Sequence, residues 1–292
     1  MEILEKEIEQ INILDSLNKS DKIDNIGDTL LQKLNMENDY NDFLVLILKV
    51  KYAYDFNNLD MFGLKSLDYV NSSVNFCKTK IVEYNLDDDI IKVVKQNLED
   101  KKYVAVVFSD TPLIKRRTFI EILDYFKFKS LCALKFNRGY VFDCEYLKNT
   151  SKVYNPHQQN FTEEDFIKIY DEKSFAEVLS ILKNRILTYH LSKGVIIKDL
   201  NTTFIDAEVN IDKGVVLDKN VNILGKTVIK ENSNIGFNSK IKNAIINKNV
   251  IIENSIIENS ILEENVKVCD FSVVKNVTIN SNKIIENEKI VG

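Results

Sequence analysis

Glycine is scarce in this chain, and its scarcity excludes one kind of site. Eight glycines occur in 292 residues, and only Gly27, Gly63 and Gly139 precede residue 190. A loop that wraps a phosphate with backbone N–H groups needs residues that tolerate positive φ and close approach. No Gly-x-Gly occurs anywhere, so the first 190 residues hold no such loop in recognisable form. Proline is confined to Pro112 and Pro156, and histidine to His157 and His190. The four cysteines, Cys77, Cys132, Cys144 and Cys269, form no CxxC pair. With so few histidines beside them they offer no zinc set. Scattered, unpaired thiols read as reduced, which places the chain in the cytoplasm. The formal net charge of −5 leaves no basic footprint for nucleic acid. The N-terminus, Met1-Glu2-Ile3-Leu4-Glu5-Lys6-Glu7, is charged and does not read as a signal peptide. No apolar run approaches a membrane span.

What the chain does have is a ladder of branched apolar residues in its last third. It runs through Ile205, Ile211, Leu217, Ile223, Ile229, Ile235, Ile241, Ile246, Ile252, Ile257, Leu262, Val268, Val274, Ile279, Ile285 and Val291. The step is six residues, shortened to five at four places. Neither a helix nor a single strand has that period. A hexapeptide period predicts a left-handed parallel β-helix, in which three short strands make one triangular coil. A second inward row follows four residues behind the first, at Val209, Val215, Val221, Thr227, Ser233 and Ser239. Asn220, Asn232, Asn238, Asn249 and Asn265 fall near the corners, where Asn tolerates left-handed geometry.

The earlier residues read as a small α/β domain. Residues 1 to about 40 carry helical spacing through Leu4, Ile8 and Ile11. Residues 43–54 read as a mostly buried strand, and Tyr103-Val104-Ala105-Val106-Val107-Phe108 as a strand covered on both faces. After Ser109-Asp110-Thr111-Pro112 a helix is predicted, with Phe119, Ile122, Leu123 and Phe126 on its apolar face. Further strands are predicted over 130–136 and 140–142, and a helix over 173–191 that leads into the β-helix and caps its first coil.

Four segments carry a resemblance. They are Ser109-Asp110-Thr111-Pro112-Leu113, Asn137-Arg138-Gly139-Tyr140-Val141-Phe142-Asp143, the stretch from Arg185 through Gly194 to Asp199, and Thr202-Thr203-Phe204-Ile205 with the repeats behind it. Together they resemble the bifunctional UDP-N-acetylglucosamine pyrophosphorylase / glucosamine-1-phosphate N-acetyltransferase family. The resemblance is specific over 171–274 and patchy over 103–143; before 100 it is not established. It implies a reduced Rossmann-like nucleotidyltransferase domain over 1–170, a linker arm helix over 171–194 and a β-helix over 195–292. In that family a sugar-1-phosphate oxygen attacks the α-phosphate of UTP, with magnesium neutralising the developing charge. By resemblance Asp110 takes the place of a magnesium-binding Asp, and Asn137 and Gly139 take the place of a sugar-contacting Asn-x-Gly. The resemblance also implies a nucleotide sugar or sugar phosphate as ligand, and a homo-oligomer, trimeric by preference.

The departures bear on function. The family's Gly-x-Gly-Thr-Arg-Met loop has no counterpart here, nor has its uracil-site Gln-x4-Gly-Thr. Counting back from Gly194, the family's second metal ligand, an Asn, lands on Tyr170, whose phenol is a poor substitute for an amide carbonyl at magnesium. The stretch from Pro112 to Tyr140 is much shorter than the family's sugar-binding insertion. No histidine follows His190, so a His-dependent acyl transfer lacks its base. Three functions stay open: a catalytically degenerate nucleotide-sugar binder or assembly subunit, an active uridylyltransferase with a divergent phosphate site in residues 1–60, and a hexapeptide acyltransferase. The first is favoured.

Plainer readings stand beside these. Asp110 or Thr111 also suits a helix cap with Pro112 in the first turn. Asn137 and Gly139 suit a β-turn. Lys115-Arg116-Arg117 suits a solvated first helical turn, and Leu86-Asp87-Asp88-Asp89 the acidic start of a helix. His190 reads as packing or surface, and His157 as part of an exposed loop.

Overall fold

The computed structural model describes residues 40–52, 55–153 and 155–292. The helical stretch expected over the first 40 residues falls almost wholly outside them. The described residues form two compact units, one of residues 40–60 and 64–179, the other of residues 61–63 and 180–292.

The first unit is built on a six-stranded mixed sheet. Its strands are β1 (Phe43–Lys51), β2 (Lys78–Asn85), β3 (Tyr103–Phe108), β4 (Ala133–Phe136), β5 (Gly139–Asp143) and β6 (His157–Gln158), in the spatial order β2-β1-β3-β5-β4-β6. β1 runs parallel to both β2 and β3, and β5 runs antiparallel to β3 and β4. The continuous apolar run of β1 follows from burial on both faces. Phe43, Val45 and Ile47 pack with Val70, Phe119, Ile122 and Phe126, while Leu44, Leu46 and Leu48 pack with Val94, Val104, Phe142 and Leu147. The period of two along a strand makes that division. Helices α1 (Ser66–Val74) and α3 (Arg116–Phe128) supply the first set of partners; α2 (Ile90–Gln96) and α4 (Cys144–Asn149) belong to the second. Helix, sheet and helix thus make a Rossmann-like α/β layering.

Two local expectations are corrected. α3 starts at Arg116 with Lys115 at its N-cap, so neither Asp110 nor Thr111 caps it and Pro112 lies before its first turn. His157 is exposed as expected, but on a strand, where its Nε2 lies 2.8 Å from the Tyr125 hydroxyl. The acidic run behaves as a helix start: Asp89 caps α2 by accepting hydrogen bonds from the Ile91 and Lys92 backbone N–H groups.

α5 (Glu172–Ser192) begins in the first unit and ends in the second. The second unit is a left-handed parallel β-helix of three parallel sheets, with six, six and five strands. The ladder residues stack in register. Ile205, Ile223, Ile241, Ile257, Val274 and Val291 form one column, and Ile211, Ile229, Ile246, Leu262 and Ile279 another. The third column holds Ile197, Leu217, Ile235, Ile252, Val268 and Ile285. From Ile205 to Ile279 every ladder side chain is buried.

The second inward row is buried too, including its polar members Thr227, Ser233 and Ser239. Small hydroxyls are tolerated there because backbone carbonyls accept them. Thr227 Oγ1 donates to the Leu224 carbonyl at 2.7 Å and Ser233 Oγ to the Asn247 carbonyl at 2.9 Å. All five corner asparagines read from the sequence have positive φ, between 54° and 61°. Asn243, Asn254, Asn259, Asn276 and Asn282 do the same. Several also bond side chain to side chain between successive coils, as in Asn249 to Asn265 and Asn265 to Asn282, both at 3.1 Å. No helix among the described residues is long and apolar enough to cross a membrane.

Candidate functional site

The parallel strands β1 and β3 end side by side, where ligands bind in open α/β sheets. Tyr52 follows β1, and Ser109 and Asp110 follow β3. The chain is stapled there: Ser109 N–H donates to the Leu48 carbonyl at 2.9 Å, and Ser109 Oγ accepts from Val50 N–H at 3.2 Å. Thr111 Oγ1 turns back to the Phe108 carbonyl at 3.0 Å. The Asp110 carbonyl accepts from Ile169 N–H at 2.9 Å, which brings Lys168 and Tyr170 alongside.

The Asp110 side chain is fully buried, and both its oxygens are engaged. Arg138 grips it with two N–H groups, Nε to Oδ1 at 3.3 Å and Nη2 to Oδ2 at 2.6 Å. The Tyr52 hydroxyl donates to Oδ2 at 2.5 Å. This is a forked, charge-assisted pair closed by a phenol. Burial, and then the neighbouring Asp110 charge, push the Tyr52 hydroxyl far above its ordinary pKa, so it stays a donor. Burial opposes the Arg138 charge, but the hydrogen bond and charge of Asp110 outweigh it and raise its pKa. The guanidinium also lies over the Phe108 ring, 4.1 Å from its centroid.

Arg138 reaches Asp110 because of the β4–β5 hairpin. Phe136 pairs with Gly139, leaving Asn137 and Arg138 as a two-residue turn. Gly139 is required for close approach: a Cβ there would stand 2.2 Å from Phe136 Cζ and 2.4 Å from the Val106 carbonyl oxygen. The Asn137 amide is spent locally, accepting from Phe161 N–H at 2.7 Å and donating to the Phe161 carbonyl at 3.3 Å. Of the Asn-x-Gly triplet, the middle residue is the one that meets Asp110. Arg138 and Tyr52 were not singled out from the sequence. No spacing links either to Asp110; the only available signal was a cation between two quoted residues and a tyrosine closing an apolar strand.

Lys168 completes the cluster. Its Nζ lies 5.2 Å from the Tyr52 ring centroid and 5.5 Å from that of Tyr170. Its pKa is lowered, first by burial and then by Arg138, with Asp110 acting against both. Tyr170 is 58% exposed. The next residue, Asp171, accepts from Ser174 N–H at 2.8 Å at the start of α5. Lys115, Arg116 and Arg117 go elsewhere: Lys115 lies 3.6 Å from Asp165, Arg116 over Phe76, and Arg117 bonds Glu121.

These residues do not fit a magnesium ion. Magnesium asks for near-octahedral oxygen ligation with short bonds. Both Asp110 oxygens are buried and already accept hydrogen bonds, their neighbour is a guanidinium that repels a dication, and the position expected for a second ligand holds the Tyr170 phenol. Among the described residues, no group of three or more His, Cys, Asp or Glu side chains is placed to hold a metal.

No family model matches the chain. Among curated proteins it is similar to the bifunctional protein GlmU of Clostridium tetani (strain Massachusetts / E88), 37% identical over 107 residues, 37% of this chain and 23% of the relative. GlmU of Geobacillus sp. (strain WCH70) is 36% identical over 108 residues, 37% of this chain and 23% of the relative. GlmU of Clostridium kluyveri (strain ATCC 8527 / DSM 555 / NBRC 12016 / NCIMB 10680 / K1) is 31% identical over 111 residues, 38% of this chain and 24% of the relative. The chain spans about a quarter of the length of the curated relatives it matches. The similarity to these GlmU proteins covers a little over a third of this chain, which also carries a β-helix and a Rossmann-like sheet.

Proposed function

We propose that this chain is a nucleotidyltransferase-like protein without nucleotidyl-transfer activity, which holds a nucleotide sugar or sugar phosphate and serves as a binding or assembly subunit. The observation that carries the reading is the engagement of Asp110 by Arg138 and Tyr52. The carboxylate that would seat magnesium in a pyrophosphorylase here neutralises a guanidinium. Phosphoryl transfer rests on electrostatic stabilisation of the transferring group, so losing the cation's seat removes a main source of rate. The absence of any Gly-x-Gly loop points the same way.

A hexapeptide acyltransferase finds no support in the described part of the β-helix unit. Its one histidine, His190, is 1% exposed and held neutral by burial. Assembly as a homo-oligomer, with a trimer as the form the resemblance favours, and a cytoplasmic setting for the free thiols complete the reading.

The test is pyrophosphate release from UTP and N-acetylglucosamine 1-phosphate with magnesium. The expected result is no release above a protein-free blank. Turnover that disappears in Asp110→Ala would sink the proposal and restore the active uridylyltransferase. Sedimentation of the full chain checks the assembly: a single monomeric species would remove that part.

A further inference from the structure

We infer that Arg138 and Lys168 form a phosphate-binding site that works without a divalent cation, with the Arg138 guanidinium standing where the resemblance places magnesium. The inference rests on the reading above that this unit binds a phosphate-bearing ligand, and it names the chemistry by which it does so.

Charge is the first observation. The cluster holds two cations, Arg138 and Lys168, and one carboxylate, Asp110. Arg138 and Asp110 neutralise each other. Lys168 has no carboxylate ion-pair partner among the described residues, and the charges acting on it are those of Arg138 and Asp110. One positive charge is therefore left over, on an ammonium that has lost part of its hydration. Its lowered pKa reflects that loss together with repulsion from Arg138, and an arriving anion relieves both.

Geometry is the second observation. A guanidinium carries five N–H donors, and Asp110 takes two of those of Arg138. The Arg138 side chain is 25% exposed, so it is not sealed behind Asp110. With Asp110 holding one edge of the fork, the guanidinium is fixed in orientation before any ligand arrives, which spares the cost of ordering it on binding. Planar forked donors suit phosphate oxygens, and the Lys168 ammonium adds a point charge beside them. Both cations stand at the carboxyl ends of β1 and β3, and the exposed Tyr170 ring gives the site a flat apolar wall.

The ligand class that fits is a phosphomonoester or diphosphate. No bond is made or broken; the site binds. The test is calorimetric titration of the full chain with inorganic pyrophosphate and with UDP-N-acetylglucosamine, each in EDTA and again with magnesium chloride. Both ligands are expected to bind in EDTA, and magnesium should change the UDP-N-acetylglucosamine Kd by less than about twofold. Lys168→Met should weaken both by about tenfold, the loss of one charge-assisted hydrogen bond. Its thermal stability should be undiminished, because it removes a partly buried, unpaired charge. Lys226→Met, an equal change of charge on an exposed β-helix residue, should leave both affinities unchanged. Binding of UDP-N-acetylglucosamine only with magnesium would overturn this inference while leaving the nucleotide-sugar reading standing. Pyrophosphate binding in EDTA that depends on Lys168, with no UDP-N-acetylglucosamine binding, would support the anion site and sink the nucleotide-sugar reading. Equal affinities in Lys168→Met and the unaltered chain, or no binding of either ligand, would overturn the inference.

Discussion

Acid should weaken the β-helix unit through one histidine. His190 lies in the last turn of α5; it is 1% exposed, and its buried Nδ1 has no hydrogen-bond partner among the described residues. Burial disfavours the imidazolium and pushes the pKa down from 6.5 to about 4. In the unfolded chain the ring titrates near its ordinary value. Above pH 6.5 both states are neutral and His190 adds no pH dependence. Between 6.5 and 4 the unfolded state binds the proton first, so folding loses stability as pH falls. At about 1.4 kcal/mol per pKa unit the full loss is about 3 kcal/mol, and ~2 kcal/mol of it is spent by pH 5. Carboxylates add their own slopes, so the informative quantity is a difference between two proteins. Urea unfolding of the unaltered chain and of His190→Leu, followed by circular dichroism at pH 7.5 and at pH 5, isolates it. The stability of the unaltered chain relative to His190→Leu should fall by ~2 kcal/mol between the two pH values. An unchanged difference would refute the reasoning, because a ring that protonates equally well in both states is not held in an unpartnered apolar site.

Ile241→Ala should cost about 2–5 kcal/mol in urea unfolding, since a fully buried ladder residue leaves a cavity between coils; the outward Ile256→Ala should cost much less. Phe271 has φ 58° and is 67% exposed at a corner where other coils place Asn. Phe271→Asn should therefore stabilise by ~1 kcal/mol, read as a rise in Tm. Arg138→Met should destabilise the α/β unit by about 3–5 kcal/mol, because it leaves the buried Asp110 carboxylate without its cation. The double variant Arg138→Met with Asp110→Asn should recover part of that loss, which a double-mutant cycle measures.

The β-helix was legible because its signal repeats. A single misread isoleucine changes nothing when the same spacing recurs through Ile279, and the corner asparagines fall where the chain must turn left-handed. β3 was legible because a strand covered on both faces has to be apolar throughout. β2 escaped notice for the opposite reason. It is an edge strand of the sheet, with Lys78 and Lys80 toward solvent, so it carries no apolar run. The segment Ser109-Asp110-Thr111-Pro112 looked like a helix start because its residue types serve caps and tight turns alike. The deciding contacts, Val50 to Ser109 and Ile169 to Asp110, come from distant parts of the chain. The candidate site was half legible. Asp110 could be found at the end of an apolar strand, but Arg138 lies 28 residues away in sequence and meets it only through the hairpin that Gly139 permits.

Manganese binding followed by electron paramagnetic resonance tests the central claim most directly, since a free Asp110 would present a hard oxygen site to a divalent cation. The claim that Asp110 belongs to Arg138 requires the full chain and Asp110→Asn to leave the same fraction of manganese free. One manganese ion bound per chain, and lost in Asp110→Asn, would contradict it.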